Sequence, residues 1–268
     1  MRVSIKFIRV ILLVSLVFPL QGLIVRHDVP DSKLLDLAKL YPQIVHFYNG
    51  EGTLVAPQWV LTAAHVGELY KRETDPKKLT VACNGQNYQI ERIVSHPHYV
   101  GEDGKAIEND VALVKLSKAV KNVEPARLFS GRNEKGKTIT IVGSGYTGTG
   151  ITGPQKEKWD HKTRAATNKV DDVEGNFIFF KFDAPGSKEA TEFEGISGPG
   201  DSGGPAFVKL RNETFIIGIS SHQKAYIEID DNGKETGGEG KYTAVEFYSR
   251  VSDYEQWINQ TMKLLSEK

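Results

Sequence analysis

The 268-residue chain has one cysteine, Cys83, and two methionines. A lone cysteine closes no disulfide within the chain, so stability has to come from packing. Cys83 stands in "LTVACNG", an apolar, strand-like stretch where a small buried thiol is expected rather than a nucleophile. An excess of charge of either sign is missing too: 34 Lys and Arg balance 34 Asp and Glu. That balance excludes a global field drawing the protein to nucleic acid or to an anionic membrane. Repeats, low-complexity tracts and blocks of like charge are absent, and the apolar run Val10 to Phe18 is too short to span a bilayer unaided. With 39% hydrophobic residues the chain can bury a core, which argues against disorder.

What is present begins with Arg2, Lys6 and Arg9, the apolar run, and then Pro19-Leu20-Gln21-Gly22. Basic, apolar and small residues in that order are the pattern of a secretory signal. Residues 1–22 are therefore expected to direct export, leaving 23–268 as the mature chain, secreted or periplasmic. Most later segments are short and β-like with turn residues between them, among them "EGTLVAPQWVLTA", "YQIERIVSH", "DVALVKL", "KTITIVGSG" and "TFIIGISS". This spacing points to an all-β sandwich or barrel. The polar stretch "RLFSGRNEKGK", 127–137, divides two strand-rich halves, about 35–130 and about 136–251. Sustained helical periodicity is confined to "SDYEQWINQTMKLL", where Ser252 and Glu255 stand in capping-box spacing and Tyr254, Trp257, Ile258 and Met262 share one face. A C-terminal helix over about 252–266 is expected, docked through Trp257.

One segment asks for a chemical explanation. "GPGDSGGP", 198–205, surrounds Asp201 and Ser202 with glycine and proline, which makes a shaped turn rather than a flexible linker. A serine hydroxyl is a weak nucleophile unless a base takes its proton and an acid orients that base. "VLTAAHV" puts His65 where an apolar strand turns polar, and "ENDVALVKL" puts Asp110 at the head of an alternating strand. Singly, these read as a core histidine, a strand-end cap and a turn residue. Together they provide a base, an orienting acid and a nucleophile.

"LTAAH", "NDVALVKL" and "GDSGGP", in that order and at wide spacing, resemble the chymotrypsin/trypsin-like serine peptidase family. "HPHY", "IVGSG", "FIIGISS" and "YSRVSDYEQWIN" extend the match from about Ile24 to the C-terminal helix. The resemblance implies two six-stranded antiparallel β-barrels with a C-terminal α-helix, here in a disulfide-free form of bacterial secreted type. It also implies roles: His65 as general base, Asp110 as the acid orienting it, Ser202 as nucleophile, and the Gly200 and Ser202 amides as oxyanion donors. Ser221 would support Asp110. Asp201 would pair with a buried N-terminal ammonium at Ile24, which export processing near Leu23 or Ile24 would create.

The segments that line the substrate pocket in that family depart from its pattern. Six residues before Ser202 stands Ile196 rather than an acid, followed by Ser197; His222 and Gln223 replace an aromatic and a glycine, and Glu246 stands where a small residue is usual. Basic, acidic, and small or aliphatic substrate side chains all stay open. No cofactor is expected. Asp230, Asp231, Asn232 and Glu239 in "IDDNGKETGGEGK" could offer oxygen ligands to calcium, but a solvated hairpin tip is the plainer reading. His96 and His98 in "HPHY" form a pair with zinc-like spacing and no clustered partner, so a strand-to-turn role is expected. The chain is accordingly expected to be a monomeric secreted serine endopeptidase acting on proteins or peptides, with no nucleic-acid partner and no membrane association once the signal is removed. A catalytically silent homologue that binds, or an esterase-like hydrolase, are the alternatives.

Overall fold

The computed structural model describes residues 10–12, 23–101, 107–155, 160–229 and 235–267. The signal-like segment 1–22 lies outside them apart from Val10–Leu12, whose backbone pairs antiparallel with Ala225–Ile227. Asp230, Asp231 and Asn232 also lie outside. Among the described residues no helix is long and apolar enough to cross a membrane.

The first half closes into a six-stranded barrel in the spatial order Ile44–Phe47, Gly50–Ala56, Trp59–Thr62, Ala112–Leu116, Gln86–Ser95 and Thr80–Cys83. Every neighbouring pair is antiparallel. Its apolar positions fill the interior with Val45, Leu54, Val60, Leu61, Leu113, Val114 and Leu116. Closure leaves no strand edge exposed. Cys83 is fully buried in this barrel, and burial pushes its thiol up to about 11, where it is inert.

The second half arranges six principal strands in the order Arg164–Lys169, Thr138–Gly143, Pro205–Leu210, Glu213–Ile229, Val245–Arg250 and Phe177–Lys181. The two end strands, Arg164–Lys169 and Phe177–Lys181, share no ladder; the buried side chain of Asn168 bridges them by donating to Lys181 O at 3.1 Å and Gly195 O at 2.9 Å. A two-residue turn, Arg211 and Asn212, both with positive φ, joins the central pair of strands, as a tight hairpin requires. The strand Glu213–Ile229 slips register against Val245–Arg250 between Ser220 and His222. Ser221 is therefore the extra residue of a β-bulge, a feature that re-aims a side chain.

Among the described residues three α-helices cover the strands: α1 (Asp31–Ala38), α2 (Ala64–Lys71) and α3 (Val251–Ser266). Only α3 carries a periodicity long enough to read from sequence. It starts one residue earlier than expected and is anchored mainly by buried Val251, Tyr254 and Ile258. Trp257 sits at the rim of the core, edge-on to His96 at 5.0 Å, so "HPHY" contributes an aromatic contact to the helix dock.

The crossover between the halves is pinned to α3 through Glu134. This buried carboxylate accepts from Arg250 Nε and Nη2 at 2.8 Å each and from Ser252 Oγ at 2.7 Å. Glu134→Ala strands the guanidinium without its partner. A loss of about 3 kcal/mol or more is expected, read as a lower midpoint in urea unfolding.

Candidate active site

Asp110 is gathered from local structure that its neighbours impose. Asn109 adopts φ +51, a left-handed conformation asparagine tolerates, and the Val111 amide bonds back to Asn109 O at 2.8 Å. The resulting tight turn lifts Asp110 off the strand Ala112–Leu116 and buries its carboxylate completely. Oδ2 accepts from His65 Nδ1 at 2.8 Å and from the bulged Ser221 Oγ at 2.7 Å. Oδ1 accepts from the His65 backbone amide at 2.9 Å. That amide belongs to the first turn of α2, whose preceding residue, Ala63, has no capping side chain. Asp110 thus caps α2 and holds the imbedded imidazole with a single carboxylate.

Burial opposes the charged form of both partners. The attraction and hydrogen bond between them outweigh it, holding His65 above and Asp110 below their ordinary ranges. His65 Nε2 is buried and has no hydrogen-bond partner among the described residues. The ring is therefore oriented at one nitrogen and unpaired at the other.

The turn bearing Ser202 abuts this pair. Gly203 N donates to Ser220 O at 2.9 Å, one residue from Ser221. Gly203 has φ +80, and a Cβ there would collide with Thr62 Oγ1 and Glu51 O and reach 3.0 Å from Ala63 N, two residues before His65. Only glycine lets the Ser202 turn approach α2 so closely. Gly200 takes φ +98. Among the described residues neither the Gly200 amide nor the Ser202 amide is engaged in a hydrogen bond. Two uncommitted amides on one turn can serve an anion.

The remaining candidate residues are placed as follows in the unprocessed chain. Asp201 is buried but does not pair with Ile24; Oδ2 accepts from Gly198 N at 2.9 Å and Oδ1 from Gly145 N at 3.4 Å. Ile24 is an internal residue here, its strand lying between Gly148–Thr149 and Gly195–Ile196, and a peptide amide carries no charge to offer. Burial, with the fields of Glu51 and Glu246, pushes Asp201 well above the ordinary carboxylate range. Ile196 is fully buried in the apolar core opposite Ile24, so strand alternation turns the next residue, Ser197, toward the pocket segments instead. His222 stacks on Phe247 at 4.9 Å with Phe177 edge-on at 5.1 Å. Burial drives it down to about 4, so it is a neutral ring and no attractor of acidic side chains.

Glu246 and Gln223 face each other across the strand pair and are hydrogen-bonded, Gln223 Nε2 to Oε1 at 2.5 Å. Ser197 Oγ donates to the other carboxylate oxygen at 2.7 Å. A second group escaped the sequence reading. Buried Glu51 accepts from His46 Nδ1 at 2.8 Å and from Ser144 N and Oγ at 3.0 and 2.6 Å, while its amide donates to Ser202 O at 2.8 Å. Its signal was an acid inside the apolar strand "GEGTLVA".

The family model for trypsin matches residues 38–258. The chain belongs to the trypsin family. This trypsin-family chain is 28% identical to phenoloxidase-activating factor 3 of Holotrichia diomphalia over 241 residues, covering 80% of the chain and 64% of that protein, just under two thirds of its length. It is 28% identical to a trypsin of Squalus acanthias over 229 residues, 81% of the chain and 86% of that protein. It is 24% identical to a trypsin of Phaedon cochleariae over 238 residues, 82% of the chain and 81% of that protein. The family is one of serine-type endopeptidases, and the all-β architecture described above agrees with it.

In this trypsin-family chain Gly143 is a tight test of the packing around the Ser202 turn. A Cβ at Gly143 would run into the carboxylate of Asp201. Gly143→Ala is expected to cost about 1–3 kcal/mol as an overpacked site, measured by thermal and urea unfolding, because Asp201 is fixed by its own turn.

Proposed function

We propose that the chain is an exported serine endopeptidase that cleaves protein or peptide substrates through an acyl-enzyme on Ser202. One observation carries the reading. Ser221, Asp110 and His65 are joined by hydrogen bonds that leave Nε2 without a partner among the described residues, and the Ser202 turn, bonded to Ser220 through Gly203, carries two uncommitted amides.

In this mechanism Ser202 Oγ attacks the scissile carbonyl carbon as its proton passes to His65 Nε2, and Asp110 stabilises the imidazolium. The carbonyl oxygen becomes an oxyanion held by the Gly200 and Ser202 amides, each such donor contributing about 3–4 kcal/mol of transition-state stabilisation. As the tetrahedral species collapses, the C–N bond breaks and His65 gives its proton to the departing amine. Water, deprotonated by His65, then hydrolyses the acyl-enzyme and regenerates Ser202. Every group in the cycle is a side chain or amide of the chain itself, so the chemistry needs no cofactor, and a monomer suffices.

Export would remove residues 1–22. An N-terminus at Leu23 or Ile24 would place an ammonium in a buried strand beside Gly195–Ile196, the segment that leads to the turn whose Asp201 has only amide partners. Mass spectrometry of the secreted protein is expected to give a first residue of Leu23 or Ile24; a start upstream of Leu23 or beyond Val25 removes this step.

Fluorophosphonate labelling combined with casein cleavage tests the reaction. The active chain should show both, and Ser202→Ala should abolish labelling and lower turnover about a millionfold with folding intact. Labelling without proteolysis would favour esterase-like chemistry, and neither signal would favour a binding homologue. The pH profile gives an independent check. His65 works as a base only when deprotonated, and its raised affinity for a proton places the acid limb of kcat/KM above the ordinary histidine value of about 6.5. Asp110→Asn should move that limb to lower pH and reduce kcat about 10⁴-fold, the scale of loss found for this constellation.

A further inference from the structure

Away from Ser202 the chain carries another carboxylate–imidazole pair. Buried Glu51 accepts from His46 Nδ1 at 2.8 Å, the same separation as in the Asp110–His65 pair. Its other oxygen accepts from Ser144 N at 3.0 Å and from Ser144 Oγ at 2.6 Å. Where His65 Nε2 has no partner among the described residues, His46 Nε2 has one: Thr163 Oγ1 lies 3.2 Å away. Glu51, His46 and Thr163 thus set an acid, a base and a hydroxyl along one line of hydrogen bonds. The peptidase mechanism uses none of these three side chains.

The positions of the protons follow from the partners. A carboxylate only accepts, so the proton between Glu51 and His46 sits on Nδ1, and the neutral ring presents its lone pair at Nε2. Thr163 Oγ1 donates into that lone pair. Ser144 Oγ lies 3.1 Å from Nδ1, on the carboxylate side of the ring, and gives its proton to Glu51 Oε1. The hydroxyl that faces the basic nitrogen is therefore that of Thr163. Burial opposes the charged form of His46, but the attraction and hydrogen bond of Glu51 outweigh it and hold the ring above its ordinary range. A ring held in this way is a stronger base than a free imidazole.

Thr163 is also reachable from outside. It lines a surface cleft of about 410 Å³ whose facing wall is α1 and its C-cap, with Ser32, Leu35, Asp36, Ala38 and Lys39. Buried Arg164, next in sequence, fixes that wall. Its Nε and Nη2 donate to Asp31 at 2.5 and 3.0 Å, and Nη1 and Nη2 donate to Asp160 at 2.8 Å each. Asp31 opens α1, so this guanidinium holds the helix against Thr163. Leu35 and Ala38 give the cleft apolar surface, and the Lys39 ammonium is paired with Asp36 at 2.8 Å. The cleft accordingly suits a small uncharged group better than an ion.

We propose that Thr163 is a second reactive hydroxyl of the chain, acylated by small uncharged activated carboxylic esters, with His46 as general base and Glu51 as the acid that orients it. Thr163 Oγ1 bonds to the ester carbonyl carbon as its proton passes to His46 Nε2. The bond from that carbon to the leaving oxygen then breaks, and the leaving alcohol takes the proton from His46. The product is an ester on Thr163, and nothing is oxidised or reduced. This step stands apart from Ser202 and from the peptidase reading. The donor has to be planar at the carbon attacked, because threonine is branched beside its oxygen. A tetrahedral phosphonate meets that branch, so fluorophosphonate labelling reports Ser202 alone.

The test uses the Ser202→Ala chain, so that the peptidase serine contributes nothing. It is incubated with p-nitrophenyl acetate and mapped by peptide mass spectrometry over time. An acetyl group on Thr163 is expected, removed by alkaline hydroxylamine as an ester is and an acetylated lysine is not. Added to Ser202→Ala, Thr163→Val should abolish that label and Thr163→Ser should keep it at a higher rate. His46→Gln should slow it about a hundredfold, the lower end of what a positioned base contributes. Urea unfolding checks that each variant folds; should His46→Gln fail to fold, the two Thr163 variants decide between them. Thr163 left unmodified while surface lysines are acetylated, a Thr163→Ser chain that takes no acetyl group there, or a rate that His46→Gln leaves unchanged overturns the proposal.

Discussion

The arrangement depends on the burial of one carboxylate. Asp110 is excluded from water, and its desolvation is compensated only if donors converge on both oxygens. The three that do so come from a helix N-terminus, an imidazole and a bulged serine. Each fixes a different piece of the molecule. The His65 amide sets the start of α2, the His65 ring sets its own rotation, and Ser221 sets the register slip of the longest strand against Val245–Arg250. Because Ser220 O, next to that slip, accepts from Gly203 N, the same carboxylate also locates the Ser202 turn. The halves of the chain meet where this one charge has to be satisfied.

The parts visible in the sequence were those whose physical cause is local. "GDSGGP" declares its turn through glycines that only a tight approach needs, and the contact of Gly203 with Thr62 and Glu51 supplies that need. α3 declares itself because its apolar stripe runs over four turns. By contrast α1 and α2 have eight residues each and no local side-chain cap. The cap of α2 is Asp110, 45 residues away, and Asp31 at the start of α1 is held by Arg164 at 2.5 Å. Neither helix could be read from its own residues, since what terminates it is tertiary.

Strand parity accounts for the other differences. Ile196 and Ser197 are neighbours, so only one of them can face the pocket segments. The pairing of Ile196 with Ile24 in a two-sided core decides in favour of Ser197. His222 packs between Phe177 and Phe247, which makes it a ring first and a base second. Glu51 escaped because one acid in an apolar strand has no pattern; its meaning comes from His46 one strand away and from Ser144 in the other half of the chain.

Four buried acids, Glu51, Asp110, Asp201 and Glu246, lie around the Ser202 turn, and their partners divide them. Asp110 and Glu51 each have an imidazole within 2.8 Å. Asp201 and Glu246 have only amides and hydroxyls. An imidazole can share a proton with a carboxylate and let it stay ionised, whereas a neutral donor stabilises it only through a dipole. Asp110, with its imidazole, is held below the ordinary carboxylate range, whereas burial pushes Asp201 and Glu246 upward, and the field of Glu246 adds to the shift of Asp201. A positive group at either one weakens the field on the other. The charge of the turn that carries Ser202 and the charge of Glu246 are in this sense a single electrostatic problem.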